Sequence, residues 1–347
     1  MNIYFFANAV YQYSHSKSIF ELTGGTFIVN KFNRMLRFKY YLFNSVKNEA
    51  IKGFLNTPPV IIRDIRQPLD LRGVILSGSC TFVNNNKDNS FSIFIGHGAG
   101  DKKYGGSAEI LKSYDYHFIS GPKHLHKMRD MDVEIPSEKL VDIGYPKFDD
   151  YVNNKIDRNA YMNYLGIKDR SRKNILYAPT WRWGNGTLQK YGKQFCEELT
   201  GEFNLIIRPH FHDRRHILPL KFWARSNGFD NVYFSNPAKI LKNNSMYDFA
   251  ISDLMISDTS SIIYEYLITK NPIIIADNNY KDLHRMPSDL NILDIANKYY
   301  GKNISSLVDA ELSSNSRSNY ETLLSNCFYF NDGKSSKRAS DFVSSLN

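Results

Sequence analysis

The sequence has few of the features that assign a chain quickly. Its three cysteines, Cys80, Cys196 and Cys327, are far apart and odd in number, which excludes a disulfide framework and any zinc spacing and makes a reducing compartment the default. No window approaches about 18 consecutive apolar residues, so no membrane-spanning helix is expected. The opening MNIYFFANAV is apolar, but it lacks a basic stretch before it and a small-residue cleavage site after it. It reads as a first buried strand of a cytoplasmic protein. There is no internal repeat at a period of about 20 to 50 residues. The G-x-x-x-x-G-K-[ST] phosphate loop is absent, as are RNP and zinc-finger patterns.

What is present bounds the answer. At one domain per roughly 150 residues, a chain of 347 residues holds two medium domains or one large one. Hydrophobic residues make up 42% and charged residues 23%, near the averages for globular chains, so disorder, collagen and coiled coil are excluded. With 23 Tyr and 23 Phe the chain is unusually aromatic, and its net charge of +9 favours an anionic partner. Because the basic residues are spread out, no nucleic acid is expected among the partners. Phosphorylated molecules and anionic phospholipid headgroups remain.

Short apolar runs alternate with longer helix-compatible segments, the signature of an α/β protein. Strands are expected at 2–7, 74–77, 92–95, 116–119 and 140–143, then at 174–177, 204–207, 232–234, 254–256 and 272–275. Each set suits one doubly wound sheet. The polar stretch 149–173 is the expected join, giving domains 1–155 and 156–330, with 331–347 as a C-terminal tail or helix. Tyr320, Leu323, Leu324 and Cys327 keep a helical spacing before that tail.

Five segments carry chemical potential. In 254–275 a strand ends at Ser257, Asp258 and Thr259 offer caps, and Ser260 and Ser261 fall in the first turn of a helix. Free backbone N–H groups there favour an anion, so the segment is a candidate phosphate cradle; ordinary capping explains it equally well. In 91–106, FSIFIGHGAGDKKYGG, a strand runs into a glycine-rich loop that places His97 at a sheet's C-terminal edge, where ligands bind in open α/β sheets. A histidine there suits a general base, Gly98 permits close approach, and Lys102 suits an anion. Two further strands end in ILYAPTWRWGNG and LIIRPHFHD, bringing to the same edge Arg182 and Arg208, which suit a phosphate or equally a salt bridge, His210 as a catalytic candidate that neutralises an oxygen or donates a proton to it, and Thr180 as a further site candidate. No Cys or carboxylate pattern completes a metal site around His210 and His212, so no metal is expected. In the fifth segment, 30–55, Phe32, Leu36, Tyr40, Phe43, Val46, Ala50 and Phe54 share a helical face bordered by Lys and Arg. Core packing of that face is the favoured expectation, with docking on an anionic membrane as its rival.

In this order and at these spacings the segments resemble the CDP-glycerol glycerophosphotransferase family of teichoic acid and capsule polymer synthesis. His97, Gly98, Lys102 and Gly105 match its WHGTPLKxxG-like motif. Gly144, Tyr145, Pro146, Lys147 and Asp149 match GYPRxD, and 177–182 reproduce YAPTWR. Arg208 and His210 match RxH, while Ser257 to Ser261 with Tyr264, Glu265 and Tyr266 match TDYSSxxFDY. Ala99, Gly100, Asp101 and Glu265 depart from the pattern.

The resemblance implies a GT-B-like fold, two Rossmann-like domains facing across a cleft, with the nucleotide donor on the C-terminal one. It implies transfer of a polyol phosphate from a CDP-linked donor to a hydroxyl of a lipid-linked or polymeric glycan, releasing CMP, in a cytoplasmic enzyme at the inner membrane face. His97 would be the base. Arg208, His210, Asp258, Ser260 and Ser261 would hold the donor, with Arg182 helping to close the cleft and Glu265 reaching a ribose hydroxyl. No cofactor beyond the nucleotide-linked donor, a CDP-alditol, is expected. The alternative keeps the fold and uses a nucleotide sugar in an inverting glycosyl transfer.

Overall fold

The computed structural model describes residues 1–44, 57–96, 98–103, 108–314 and 317–346. The first unit opens with β1 (Ile3–Phe6), α1 (Tyr13–Thr23), β2 (Thr26–Val29), α2 (Phe32–Asn44), β3 (Val60–Ile62), β4 (Gly73–Ser77) and β5 (Ser90–Phe94). It continues with β6 (Tyr116–Ile119), α3 (Pro122–Arg129) and β7 (Leu140–Asp142). These strands form a seven-stranded sheet in the order β3-β2-β1-β4-β5-β6-β7. Two short helices follow, α4 (Asp149–Val152) and α5 (Arg158–Leu165).

The second unit contains β8 (Asn174–Tyr177), α6 (Leu188–Leu199), β9 (Asn204–Ile207), α7 (Ile217–Ser226), β10 (Val232–Phe234), α8 (Ser245–Ile251) and β11 (Leu254–Ser257). After these come α9 (Ile262–Tyr266), β12 (Ile273–Ala276), β13 (Asn297–Tyr299) and α10 (Ile304–Ser313), and the chain ends in α11 (Arg317–Cys327) and α12 (Ser335–Ser345). Its six strands run β10-β9-β8-β11-β12-β13. All ladders of both sheets are parallel. Strand order reverses beside β1 and β4 in one sheet and beside β8 and β11 in the other, and the crevices at these switch points are where such sheets bind ligands. This is the GT-B-like α/β architecture expected.

Parallel sheets covered on both faces need apolar residues on both, and side-chain alternation sorts them into separate cores. In β8, Ile175 and Tyr177 face one core and Leu176 the opposite one; Leu254, Met255 and Ile256 of β11 do the same. In β4, Val74 and Leu76 are separated from Ile75 in this way. The expected strands are all found. Those missed are β2, β3 and β13. β2 is a four-residue run behind a Gly pair, β3 follows two prolines, and β13 is a polar edge strand whose first two residues are exposed.

The expected division of the chain is linear, whereas its path is not. The C-terminal part packs as helix, as its spacing predicts: α11 sets Tyr320, Leu323, Leu324 and Cys327 into the core that also holds Tyr145 and Phe148, while Ala339 and Val343 of α12 lie in the core of the first unit. The last two helices thus strap one unit to the other. The face of α2 also departs from expectation. Phe38 and Leu42 are the buried residues, while Phe32, Leu36 and Tyr40 are 60, 52 and 61% exposed, so the stripe read as core faces outward. Phe43, Val46, Ala50 and Phe54 lie outside the residues whose side chains are described. No helix among the described residues is long and apolar enough to cross a membrane.

Val343 is 2% exposed, so Val343→Asp would bury a carboxylate among hydrocarbon. It should destabilise the chain by about 3 kcal/mol or more, read as a lowered urea midpoint.

Candidate functional site

The loops after β8, β9 and β11 converge on one wall of a cleft, and the start of α1 supplies the other. The cavity between them, about 150 Å³, is lined by Arg208, His210, Ser260, Ser261 and Glu265 on one side and Tyr11, Ser14, His15 and Lys147 on the other. Five candidate ligands from two segments, 208–210 and 260–265, are thus brought together. His15 and Ser14 were missed because nothing in their neighbourhood resembles a motif. Their position, just after the first strand of a doubly wound sheet, was the available signal.

Each of the five is held differently. Arg208 Nη1 donates to Ser235 Oγ at 2.9 Å, Asn243 O at 2.8 Å and Asp248 Oδ2 at 2.7 Å. The fully buried Asp248 also accepts from Tyr161 Oη at 2.7 Å, so one edge of the guanidinium is anchored, leaving Nε and Nη2 as donors for the cleft. His210 stacks on Trp181, with ring centroids 5.7 Å apart. Its Nδ1 accepts from the His212 backbone N–H at 3.3 Å, which puts the proton of a neutral ring on Nε2. Burial, with the charges of His212, Lys102 and Arg208, pushes its pKa down to about 3. His210 is therefore a neutral N–H donor at the cleft wall. The Ser260 and Ser261 hydroxyls make no hydrogen bond among the described residues.

Glu265 is occupied. Its Oε1 accepts from Tyr145 Oη at 2.7 Å, and its Oε2 is ion-paired with Lys147. Both partners belong to the 144–147 motif of the first unit, so the carboxylate ties the units together.

Three other expected ligands stand outside the cleft. Asp258, 0% exposed, accepts through Oδ1 from Thr180 N at 2.8 Å and through Oδ2 from Thr187 N and Oγ1, each at 3.0 Å. Burial raises its pKa to about 6. It shapes the loop 178–187 from behind and presents nothing to the cleft, which corrects its expected place among the donor ligands. Thr180 is likewise turned inward and accepts from Lys102 Nζ at 2.6 Å, one of the three donors of that ammonium. Arg182 is exposed on a separate groove with Asn185, Lys190, Asn278 and Asn279, away from the cleft it was expected to close. Its side chain is carried outward by the turn at 182–184. Among the described residues no three His, Cys, Asp or Glu are grouped so as to hold a metal.

The glycine-rich loop reaches the second unit. A Cβ on Gly98, whose φ is +110°, would lie 3.1 Å from Ser261 Oγ, and one on Gly100 would lie 2.6 Å from Ser261 Cα. Asp101, a departure from the family pattern, pairs with Lys123 and accepts from Tyr264 Oη at 2.6 Å. His97, expected as base, lies outside the described residues; its chain neighbours Gly96 and Gly98 line a second cavity beside the cleft.

Two parallel α/β units, with a loop of the first crossing to Ser261 at the start of α9 in the second, define a GT-B-like protein. The profile of the family described as CDP-Glycerol:Poly(glycerophosphate) glycerophosphotransferase matches residues 96–345, and the chain belongs to that family. It is 25% identical to the teichoic acid ribitol-phosphate primase of Bacillus spizizenii over 282 residues, 73% of this chain and 66% of that protein. To the teichoic acid glycerol-phosphate primase of Bacillus subtilis it is 28% identical over 172 residues, 48% of this chain and 40% of that one. It thus spans under two thirds of either relative. The fold superposes on the wall teichoic acid polymerase TagF with a TM-score of 0.64 at 18% identity, covering 99% and 88% of the two chains. S. aureus MnaA with UDP gives 0.62 at 13% identity, covering 100% and 97%.

Asp258→Ala would leave the Thr180 and Thr187 N–H groups buried without acceptors. A loss of about 2–4 kcal/mol is expected, measured by denaturant unfolding.

Proposed function

We propose that the protein transfers glycerol phosphate, or a related polyol phosphate, from a CDP-linked donor to a hydroxyl of a lipid-linked or polymeric glycan in teichoic acid or capsule synthesis. The observation that carries this reading is the convergence of Arg208, His210, Ser260 and Ser261 on one cleft wall, within a chain of this family. A diphosphate needs several donors and little else, and this wall supplies a guanidinium, a neutral N–H and two hydroxyls.

In the proposed reaction, His97 takes the proton of the acceptor hydroxyl as its oxygen bonds to the phosphorus bearing the glycerol. The bond from that phosphorus to the bridging oxygen breaks, and the electron pair leaves with CMP. Arg208, His210, Ser260 and Ser261 offset the charge gathering on the departing phosphate. Both readings place Glu265 near the donor's ribose, so its bonds to Tyr145 and Lys147 do not separate them; the nucleotide released does.

Purified protein given CDP-glycerol, CDP-ribitol, CMP-sugars and UDP-sugars with a crude lipid-linked acceptor should release CMP from a CDP-alditol. His97→Ala should lower that rate about 100-fold or more, as loss of a general base does. Release of UDP from a UDP-sugar, or of CMP from a CMP-sugar alone, would move the protein to the glycosyltransferases.

The acceptor is held at a lipid surface on which the chain docks peripherally through α2. This reading is supported by the outward stripe of Phe32, Leu36 and Tyr40, set among Lys31, Arg34, Arg37 and Lys39, an apolar face bordered by cations as an anionic interface requires. A triple change of Phe32, Leu36 and Tyr40 to Ser should abolish flotation with vesicles containing anionic lipid, with the melting temperature unchanged. Equal flotation of both proteins would remove α2 from the contact.

A further inference from the structure

The second unit carries an exposed apolar face that the donor cleft does not use. α7 buries Ile217 and Ala224 and packs Leu220 and Trp223 against the core of its own unit, which occupies one side of the helix. A helix packed on one side normally turns polar residues outward. Here the outer side carries Leu218 and Phe222, 63 and 66% exposed, with the exposed Pro219 beside them. Arg215 and Arg225, also exposed, extend this face at its two ends, at spacings of three residues from Leu218 and Phe222.

The turn that leads into α7 ties it to α2 of the first unit. Arg214 Nη2 donates to Tyr41 Oη at 2.7 Å, and its guanidinium lies over the rings of Tyr41 and Phe211. Ring contacts run on from Tyr40 through Tyr41, Phe211, His212 and Trp181 to Trp183, with centroids 4.3–6.0 Å apart at each step. Both ends of this belt are in solvent, Trp183 being 67% exposed. Its middle borders the donor cleft, since Phe211 lines the cavity and Trp181 stacks on His210.

Charge identifies what such a face meets. Residues 214–225 include Arg214, Arg215, Lys221 and Arg225 and no Asp or Glu, and the segment 31–44 likewise has four cations and no carboxylate. In an anionic lipid surface the acyl chains accept Leu and Phe, the headgroup phosphates accept guanidinium groups, and Trp and Tyr settle at the boundary between them. We propose that α7 is a second lipid contact, so that both units dock on an anionic bilayer with the aromatic border of the donor cleft against its surface. The proposal extends the reading of α2 as a docking helix, and it adds a constraint that α2 alone does not supply. A protein held through one unit is free to turn its cleft away from the surface, whereas two linked contacts fix the cleft's orientation and strengthen each other's binding.

The test is flotation of the full chain with vesicles of phosphatidylglycerol and phosphatidylcholine, compared with phosphatidylcholine alone. The native protein should float with the anionic vesicles and much less with the neutral ones. Leu218→Ser with Phe222→Ser, and separately Arg215→Gln with Arg225→Gln, should each lower the partition about tenfold or more, with the melting temperature unchanged because these side chains are exposed. Native-like flotation of both variants overturns the proposal and leaves α2 as the docking helix. Loss of flotation in the α7 variants but not in the triple variant of α2 removes α2 and keeps α7. Equal binding to neutral vesicles overturns the anionic assignment. If the native chain self-associates in sedimentation, the Leu218→Ser, Phe222→Ser variant is monomeric and flotation is unaltered, the face is an interface between copies and the lipid assignment is overturned. Should a variant fail to fold, the native protein decides. All three tryptophans, Trp181, Trp183 and Trp223, belong to the second unit, so brominated lipid in the anionic vesicles must quench their fluorescence, and unquenched emission from vesicle-bound protein rejects contact through that unit.

Discussion

The structure depends on how the glycine-rich loop of the first unit crosses to the second. Gly98 and Gly100 bring its backbone against Ser261, an approach that any side chain at Gly100 would block. Asp101 then enters a pocket made by Lys123 of its own unit and Tyr264 of the other, and Lys102 reaches Thr180. Three consecutive attachments, one steric, one ionic and one polar, therefore fix where the two sheet edges lie relative to each other. The cleft is what remains between them. The Glu265 link to Tyr145 and Lys147 is a fourth tie on the same side, and it lies at the cleft itself.

Much of the remaining architecture meets the demands of charge placed out of water. Asp248 is fully buried and is tolerable because Arg208, Tyr161 and Ser235 all donate to it; in return it holds the guanidinium at the cleft wall. Asp258 is similarly satisfied by three N–H or O–H donors of the loop it shapes. Neither carboxylate touches the cavity. Both act through what they hold, as groups that support binding side chains do.

This explains which parts of the molecule were legible in the sequence. Strands buried on both faces announce themselves as continuous apolar runs, so β1, β4 and β8 to β12 were readable, and the doubly wound order followed from alternation. β13 begins with exposed polar residues and carries no such run. At the site, Arg208, His210, Ser260 and Ser261 were readable because each ends a strand or opens a helix at the ligand-binding edge. Asp258 stands in the same kind of position, yet its side chain turns inward. A strand end fixes the location of a residue but leaves side-chain direction to the hydrogen bonds available around it. The lysines of α3 were not legible at all, since a short helix reading PKHLHKMR looks solvated until the loop that covers it is in place.

The protonation state of His210 bears on how the proposed reaction ends. The burial and neighbouring charges that lower its pKa to about 3 leave the imidazole neutral near neutral pH, so in the proposed reaction it meets the leaving group as an N–H donor. The proposed leaving group needs no proton. CMP departs as a phosphate whose second ionisation lies near ~6, so it is stable as an anion at neutral pH and requires charge to be met rather than a proton delivered. A stacked, neutral ring with its N–H fixed by the His212 backbone does this without the desolvation cost of a buried cation, and it stands ready before the charge develops. Preorganised neutral donors of this kind favour the charged transition state because they need little reorientation when the bond breaks. The stacking on Trp181 and the N–H fixed by the His212 backbone therefore suit His210 to meeting that charge in the proposed transfer.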